Sequence, residues 1–161
     1  MNDKRIDFMM MSDGFASKIW KGFLAPDVVL EEAAKPPFPH LYVVNTAPTI
    51  TGGEHWCVLL VFKNECEFFD SFGRSPASYH LLHAFVEQCK KISFSETQFQ
   101  SDTALTCGHH CIFYSMMRAR GVSRKKIFEM YNKNDFSYND DMVFNFVLRN
   151  FGSFMARIQT G

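Results

Sequence analysis

The unbroken apolar run Trp56 to Phe62 and the run Glu65 to Asp70, apolar at Cys66, Phe68 and Phe69, are separated only by Lys63-Asn64. A two-residue polar break between runs of this kind predicts a β-hairpin. Successive side chains on a strand point to opposite faces, so a strand that is apolar at every position must be covered on both. Nothing else in the chain restricts the fold so tightly: this hairpin belongs in the middle of a covered sheet.

Around the hairpin the chain reads as mixed α and β. Arg5 to Met11 predicts a short helix ending near Gly14, and Ile19 to Leu24 an extended segment closed by Pro26. Pro36-Pro37-Phe38-Pro39 forms a rigid loop, followed by a strand over Leu41 to Thr46. Ser75-Pro76 has the form of an N-cap followed by proline at the first helical position, and Leu81, Leu82, Phe85, Val86 and Cys89 continue at helical spacing. Ile92 to Gln100 alternates and predicts a strand. Cys107 to Arg120 predicts a helix with arginines in its last turn and Gly121 just beyond. Ser123 opens another helix to about Asn132, and Met142, Val143, Phe146, Val147 and Phe151 mark a final amphipathic helix over Asp140 to Phe151. With no repeat, low-complexity tract or linker, residues 1–161 are expected to form a single domain.

Charge and cysteine content narrow the function classes. Lys+Arg and Asp+Glu both number 17, so no strong electrostatic footprint for nucleic acid is expected. Ile6 to Met11 is too short for a membrane span and lacks a signal-peptide cleavage pattern, which predicts an intracellular, membrane-free chain. The five cysteines show no paired framework and are expected mostly as thiols. Cys57, Cys66 and Cys111 suit small buried hydrophobes. Cys89 completes the apolar stripe that begins at Leu81 and suits a core position too.

Three residues stand in settings that favour chemistry. His55 follows Thr51-Gly52-Gly53 and opens the first apolar run, while Asp70 closes the second. A tight hairpin puts both at the same end of the sheet. Cys107 sits at a loop-to-helix junction, where the helix dipole and free N–H groups favour thiolate. A thiol becomes a strong nucleophile once a base takes its proton, and the base works best when a third group fixes its tautomer. Gln100 offers an amide donor beside the Cys107 backbone N–H, the two donors of an oxyanion hole. Gly108 lets a substrate carbonyl approach the backbone closely, and Trp56 is expected to pack against the imidazole region. This chemistry requires no cofactor.

The non-enzyme alternative is a zinc-binding interaction module built from Cys107, His109, His110 and Cys111. Four candidates within five residues cannot converge tetrahedrally if the segment is helical. His109 and His110 are therefore expected as helix-surface or packing residues.

Val44-Asn45-Thr46-Ala47 and Thr51-Gly52-Gly53-Glu54-His55-Trp56 resemble the segment around the catalytic histidine of the adenain family of adenovirus endopeptidases. Phe69-Asp70-Ser71-Phe72-Gly73 is similar to that family's acidic motif, and Gln100 with Cys107-Gly108 to its glutamine and nucleophile. The acidic motif and Cys107 to Tyr114 also resemble related proteases of large virus-like DNA transposons, as does Trp20 to Asp27 with an early motif of that group. The likeness is strongest from about Val43 to Tyr114.

The resemblance implies an α+β fold with a papain-like core: a mixed central sheet flanked by helices. It implies a cysteine endopeptidase with His55, Asp70 and Cys107 as triad and Gln100 in the oxyanion hole. Its substrates would be viral or virus-like structural precursor proteins, cleaved at glycine-containing motifs. It further implies a host nuclear and virion location, a monomer, and two regulators: DNA, and a short activating peptide disulfide-bonded to an enzyme cysteine, for which Cys89 has the family-like separation from Cys107. Zero net charge argues against DNA, although Arg118, Arg120, Arg124, Lys125 and Lys126 form a candidate basic patch across the Gly121 turn. A protease of ubiquitin-like modifiers and a thiol acyltransferase of the same fold group are the rival readings that keep the triad.

Overall fold

The computed structural model describes residues 1–24, 36–46, 55–79, 82, 87 and 89–158. In chain order they form α1 (Asp3–Ser12), β1 (Trp20–Leu24), β2 (His40–Asn45), β3 (Trp56–Val61), β4 (Cys66–Phe69), β5 (Ile92–Ser93), α2 (Cys107–Ala119), α3 (Arg124–Glu129) and α4 (Phe136–Ile158). The architecture is α+β, with a mixed sheet in the order β1-β2-β3-β4-β5 flanked by helices. The β2–β3 and β3–β4 pairs are antiparallel, and the two outer pairs are parallel. Val61 pairs with Cys66, so the expected hairpin is present and turns through Phe62 to Glu65.

The central strands bury both faces, as the apolar pattern of β3 requires; β4 carries one buried acid, Glu67. Leu41, Val43, Val58, Leu60 and Phe69 face a core built with α1, α2 and α4. Tyr42, Val44, Cys57, Leu59, Val61, Cys66 and Phe68 face a second, smaller cluster with Leu24 and Leu82. Aromatic rings fill the larger core: Phe69 stacks on Tyr114 at 4.1 Å, and Phe99 on Tyr131 at 4.3 Å. Helix ends follow their sequence signals. Asn2 accepts from the Arg5 N–H at 3.0 Å, Ser123 from the Lys126 N–H at 3.3 Å, and Gly121 takes φ +78° just past α2.

Three expectations are corrected. The strand expected over Ile92 to Gln100 is limited to Ile92–Ser93. Beyond it the chain leaves the sheet edge to brace the turn after β4, with the Phe99 and Gln100 N–H groups both donating to the Ser71 carbonyl, at 2.8 and 3.0 Å. Gly73, with φ +70°, sits so close to this segment that a Cβ there would lie 2.6 Å from the Thr97 carbonyl carbon. The helix expected after Ser75-Pro76 opens as a 3-10 turn, Pro76–Ser78, with Glu87 helical farther on; Leu81, Phe85 and Val86 lie outside the described residues, as do Pro26 and Thr51-Gly52-Gly53. The last helix begins a turn earlier than expected because the Asp135 side chain accepts from the Tyr138 N–H at 2.9 Å. Cys66 and Cys89 are not thiols: they are joined in a disulfide that ties the start of β4 to the segment leading into β5.

Candidate active site

His55 immediately precedes β3, and Asp70 immediately follows β4. Because β3 and β4 are antiparallel neighbours, the hairpin brings both residues to one end of the sheet. The His55 carbonyl accepts from the Thr46 N–H at 3.0 Å, which anchors the residue to the end of β2. His55 Nε2 lies 2.7 Å from Asp70 Oδ1, with both side chains buried. The Phe72 N–H donates to the same oxygen at 2.8 Å, and the Tyr79 hydroxyl donates to Oδ2. The carboxylate is therefore held by three donors and presents one fixed edge to the imidazole. With Nε2 committed to Asp70, Nδ1 remains for the Cys107 thiol, which is hydrogen-bonded to His55.

Cys107 is the first residue of α2 and the one partly exposed cysteine among the three free thiols. Burial disfavours its thiolate. The His55 hydrogen bond, the Trp56 and Gly108 backbone N–H groups and the imidazolium charge outweigh that, and its pKa is lowered. Burial likewise disfavours charged His55, yet the hydrogen bonds to Asp70 and Cys107 raise it from 6.5 to about 9. Asp70 is lowered despite its burial, by His55, Tyr79 and the Phe72 N–H. These directions describe a thiolate–imidazolium pair with a carboxylate behind it. Burial instead pushes the Cys57 and Cys111 thiols well up.

The chain matches no family model and no curated protein.

Gln100 is fully buried and oriented from both ends. Its Oε1 accepts from Ser71 Oγ at 2.7 Å, and its Nε2 donates to the Ala104 carbonyl at 2.6 Å. A primary amide carries two N–H donors, so the Ala104 bond leaves one for another acceptor. Of the other two candidates, Gly108 and Trp56, the packing expected of Trp56 is corrected. Gly108 is buried against the segment leading into α1, where a Cβ would lie 2.7 Å from Met1 Cγ and 3.4 Å from Ile6 Cδ1. Its missing side chain admits that packing, while its backbone N–H acts on the Cys107 sulfur. The ring against His55 belongs to Phe72, 4.8 Å away, with the Arg74 guanidinium 5.0 Å beyond it, whereas the Trp56 ring packs edge-on against Phe23.

The remaining candidates are used elsewhere. The Cys89 sulfur is bonded to Cys66, so it is not a free linkage point for an activating peptide. Within the candidate basic patch, Arg118 pairs with Glu67 at 2.7 Å and Arg120 with Asp13. Burial alone would disfavour the Arg118 charge, and the Glu67 carboxylate raises its pKa instead. The four proposed zinc ligands do not converge: His110 bonds Asp140 and Tyr131, Cys111 donates to the Trp56 carbonyl, and His109 lies against Phe144. A different group, His55, Cys57 and Asp70, does bring its ligand atoms within 4.8 Å of one another. The 2.7 Å between Nε2 and Oδ1 is a hydrogen-bond separation. Two tetrahedral ligands about 2.0–2.2 Å from zinc would stand farther apart. No helix among the described residues is long and apolar enough to cross a membrane.

Three contributors escaped the sequence reading: Tyr79, which fixes Asp70; Cys111, which binds the Trp56 carbonyl; and Asp140, which gathers the loop before Cys107. Only Cys111 carried a usable signal, its i+4 spacing from Cys107.

Proposed function

We propose that this chain is a cysteine endopeptidase of the adenain type with a papain-like core, acting on precursor proteins of a virus or virus-like element at glycine-containing motifs. The observation that carries the proposal is the buried His55–Asp70 pair at 2.7 Å, together with Cys107 at the start of α2, whose thiol pKa His55 lowers. The substrate class rests on the sequence resemblance.

The Cys107 thiolate attacks the scissile carbonyl carbon, forming a C–S bond and an oxyanion. One Gln100 amide N–H and the Cys107 backbone N–H stabilise that charge. The His55 imidazolium, held by Asp70, passes its proton to the leaving amine as the C–N bond breaks, leaving a thioester. Water then attacks the thioester while His55 takes its proton. The acid product departs and the thiolate–imidazolium pair is restored.

Incubation with glycine-motif peptides and viral structural precursors, read by mass spectrometry, tests the proposal. Cleavage that is lost in Cys107→Ala with the fold retained supports it. Preferential Cys107 labelling by a ubiquitin-like probe, or acetyl-CoA turnover without peptide cleavage, overturns it in favour of the corresponding rival.

A further inference from the structure

Residues 101–106 separate Gln100 from Cys107, and both ends of this loop are tied to one side chain of α4. The Ser101 N–H and Oγ both donate to Asp140 Oδ2, at 3.1 and 2.5 Å. Thr106, whose hydroxyl would ordinarily cap α2, donates to Asp140 Oδ1 at 2.5 Å instead. His110 Nε2 meets the same oxygen at 3.0 Å, while its Nδ1 meets the Tyr131 hydroxyl at 3.2 Å. The neighbouring Asn139, fully buried, donates to the Phe99 carbonyl at 3.0 Å. Gln100 is thus bracketed by α4 tethers at residues 99 and 101, and Cys107 is preceded by one at 106.

We infer that Asp140 is a positioning residue of the proposed protease: it sets the placement of the Gln100 amide relative to the Cys107 sulfur by pinning both ends of the intervening loop. The inference rests on the cysteine-endopeptidase reading. Four donors converge on this one carboxylate. Burial opposes its charge, yet the His110, Ser101 and Thr106 bonds hold its pKa down to about 2, so it stays an acceptor throughout the working pH range. Asparagine would replace one oxygen with an NH2 group that meets donors. His110 of α2, fully buried, belongs to this clamp and not to proton transfer with substrate.

Asp140→Asn is expected to lower kcat by about 10²-fold, the scale of a small misplacement of a catalytic group, with little change in KM. Alkylation of Cys107 at mildly acidic pH should change far less than kcat, because none of the Asp140 hydrogen bonds is to His55 or Cys107. A purely structural role would lower kcat and alkylation together, in step with the folded fraction, and would overturn the inference. Thr106→Val should lose turnover that Thr106→Ser, which keeps the hydroxyl, recovers; the same pair carries the test if Asp140→Asn does not fold. Amide exchange reads the clamp without any substrate. Faster exchange confined to residues 101–107 supports it, and unchanged exchange with unchanged kcat overturns it. Wild-type protein that cleaves no peptide overturns the protease reading, while the exchange result still decides the clamp.

Discussion

The Cys111 thiol donates to the Trp56 carbonyl at 3.2 Å, and the Trp56 N–H is hydrogen-bonded to the Cys107 sulfur. One residue of β3 is therefore held by two cysteines a turn apart on α2. A strand residue presents its N–H and C=O along the same edge, and β4 pairs only as far as Val58, so this edge of Trp56 is left for the helix. The contact joins the strand entered through His55 to the helix that begins with the thiol.

Removing that donor should be felt at both ends. Cys111→Ala takes a weak S–H donor from this part-buried carbonyl and is expected to cost about 1 kcal/mol of stability. It should also raise the pH at which Cys107 becomes reactive, because the Trp56 N–H loses its register. Cys111→Ser retains a donor and should shift both less. Chemical denaturation and a pH series of alkylation rates measure the two effects; identical values for alanine and wild type would refute the link.

Alkylation at pH about 6 should select Cys107, where a lowered pKa and partial exposure coincide. Cys57 and Cys111 are buried with raised pKa values, and Cys66 and Cys89 are paired. Peptide mapping that finds Cys57 labelled as readily as Cys107 contradicts the assigned geometry.

Turnover should follow a bell-shaped pH profile. Its acid limb is protonation of the Cys107 thiolate, below the ordinary thiol range, and its alkaline limb is proton loss from His55 near 9. The stability signs follow. The raised His55 contributes stability that is full below 6.5 and lost as pH rises through about 9. The depressed Asp70 contributes stability present above 3.8 and lost as pH falls through its lowered pKa. A His55→Ala variant whose pH–stability curve matches wild type in the alkaline range would contradict this assignment.

Gln100→Ala should lower kcat by about 10²–10³, the loss expected for one oxyanion donor. Gln100 is buried and bonded to Ser71 and Ala104, so truncation should also cost about 1–3 kcal/mol. Tyr79→Phe removes one Asp70 donor and should be milder in kcat than Asp70→Asn. Kinetics showing Gln100→Ala at wild-type turnover would remove Gln100 from the site.

The hairpin and its two-sided burial were legible because periodicity is a local signal: Trp56 to Phe62 has no polar face to expose. That signal also placed His55 and Asp70 together. Ile92 to Gln100 misled because its alternation serves the Ser71 and Gly73 turn instead of a strand partner. Cys66 and Cys89 were not legible as a pair, since only the β4–β5 pairing brings those segments together. Asp140 looked like an ordinary polar position on an amphipathic helix. Its role depends on where α4 meets a loop more than thirty residues upstream, which no local pattern encodes.

Gly73 gives a caution for mutational scanning. A side chain there would collide with the backbone of residues 96–98, and its positive φ already disfavours other residues. Saturation mutagenesis should therefore score this position as intolerant as Cys107, although it supplies no reacting atom. An essentiality map of this chain would mark a joint and a reagent with the same colour, and only a folding assay on the same library would tell them apart.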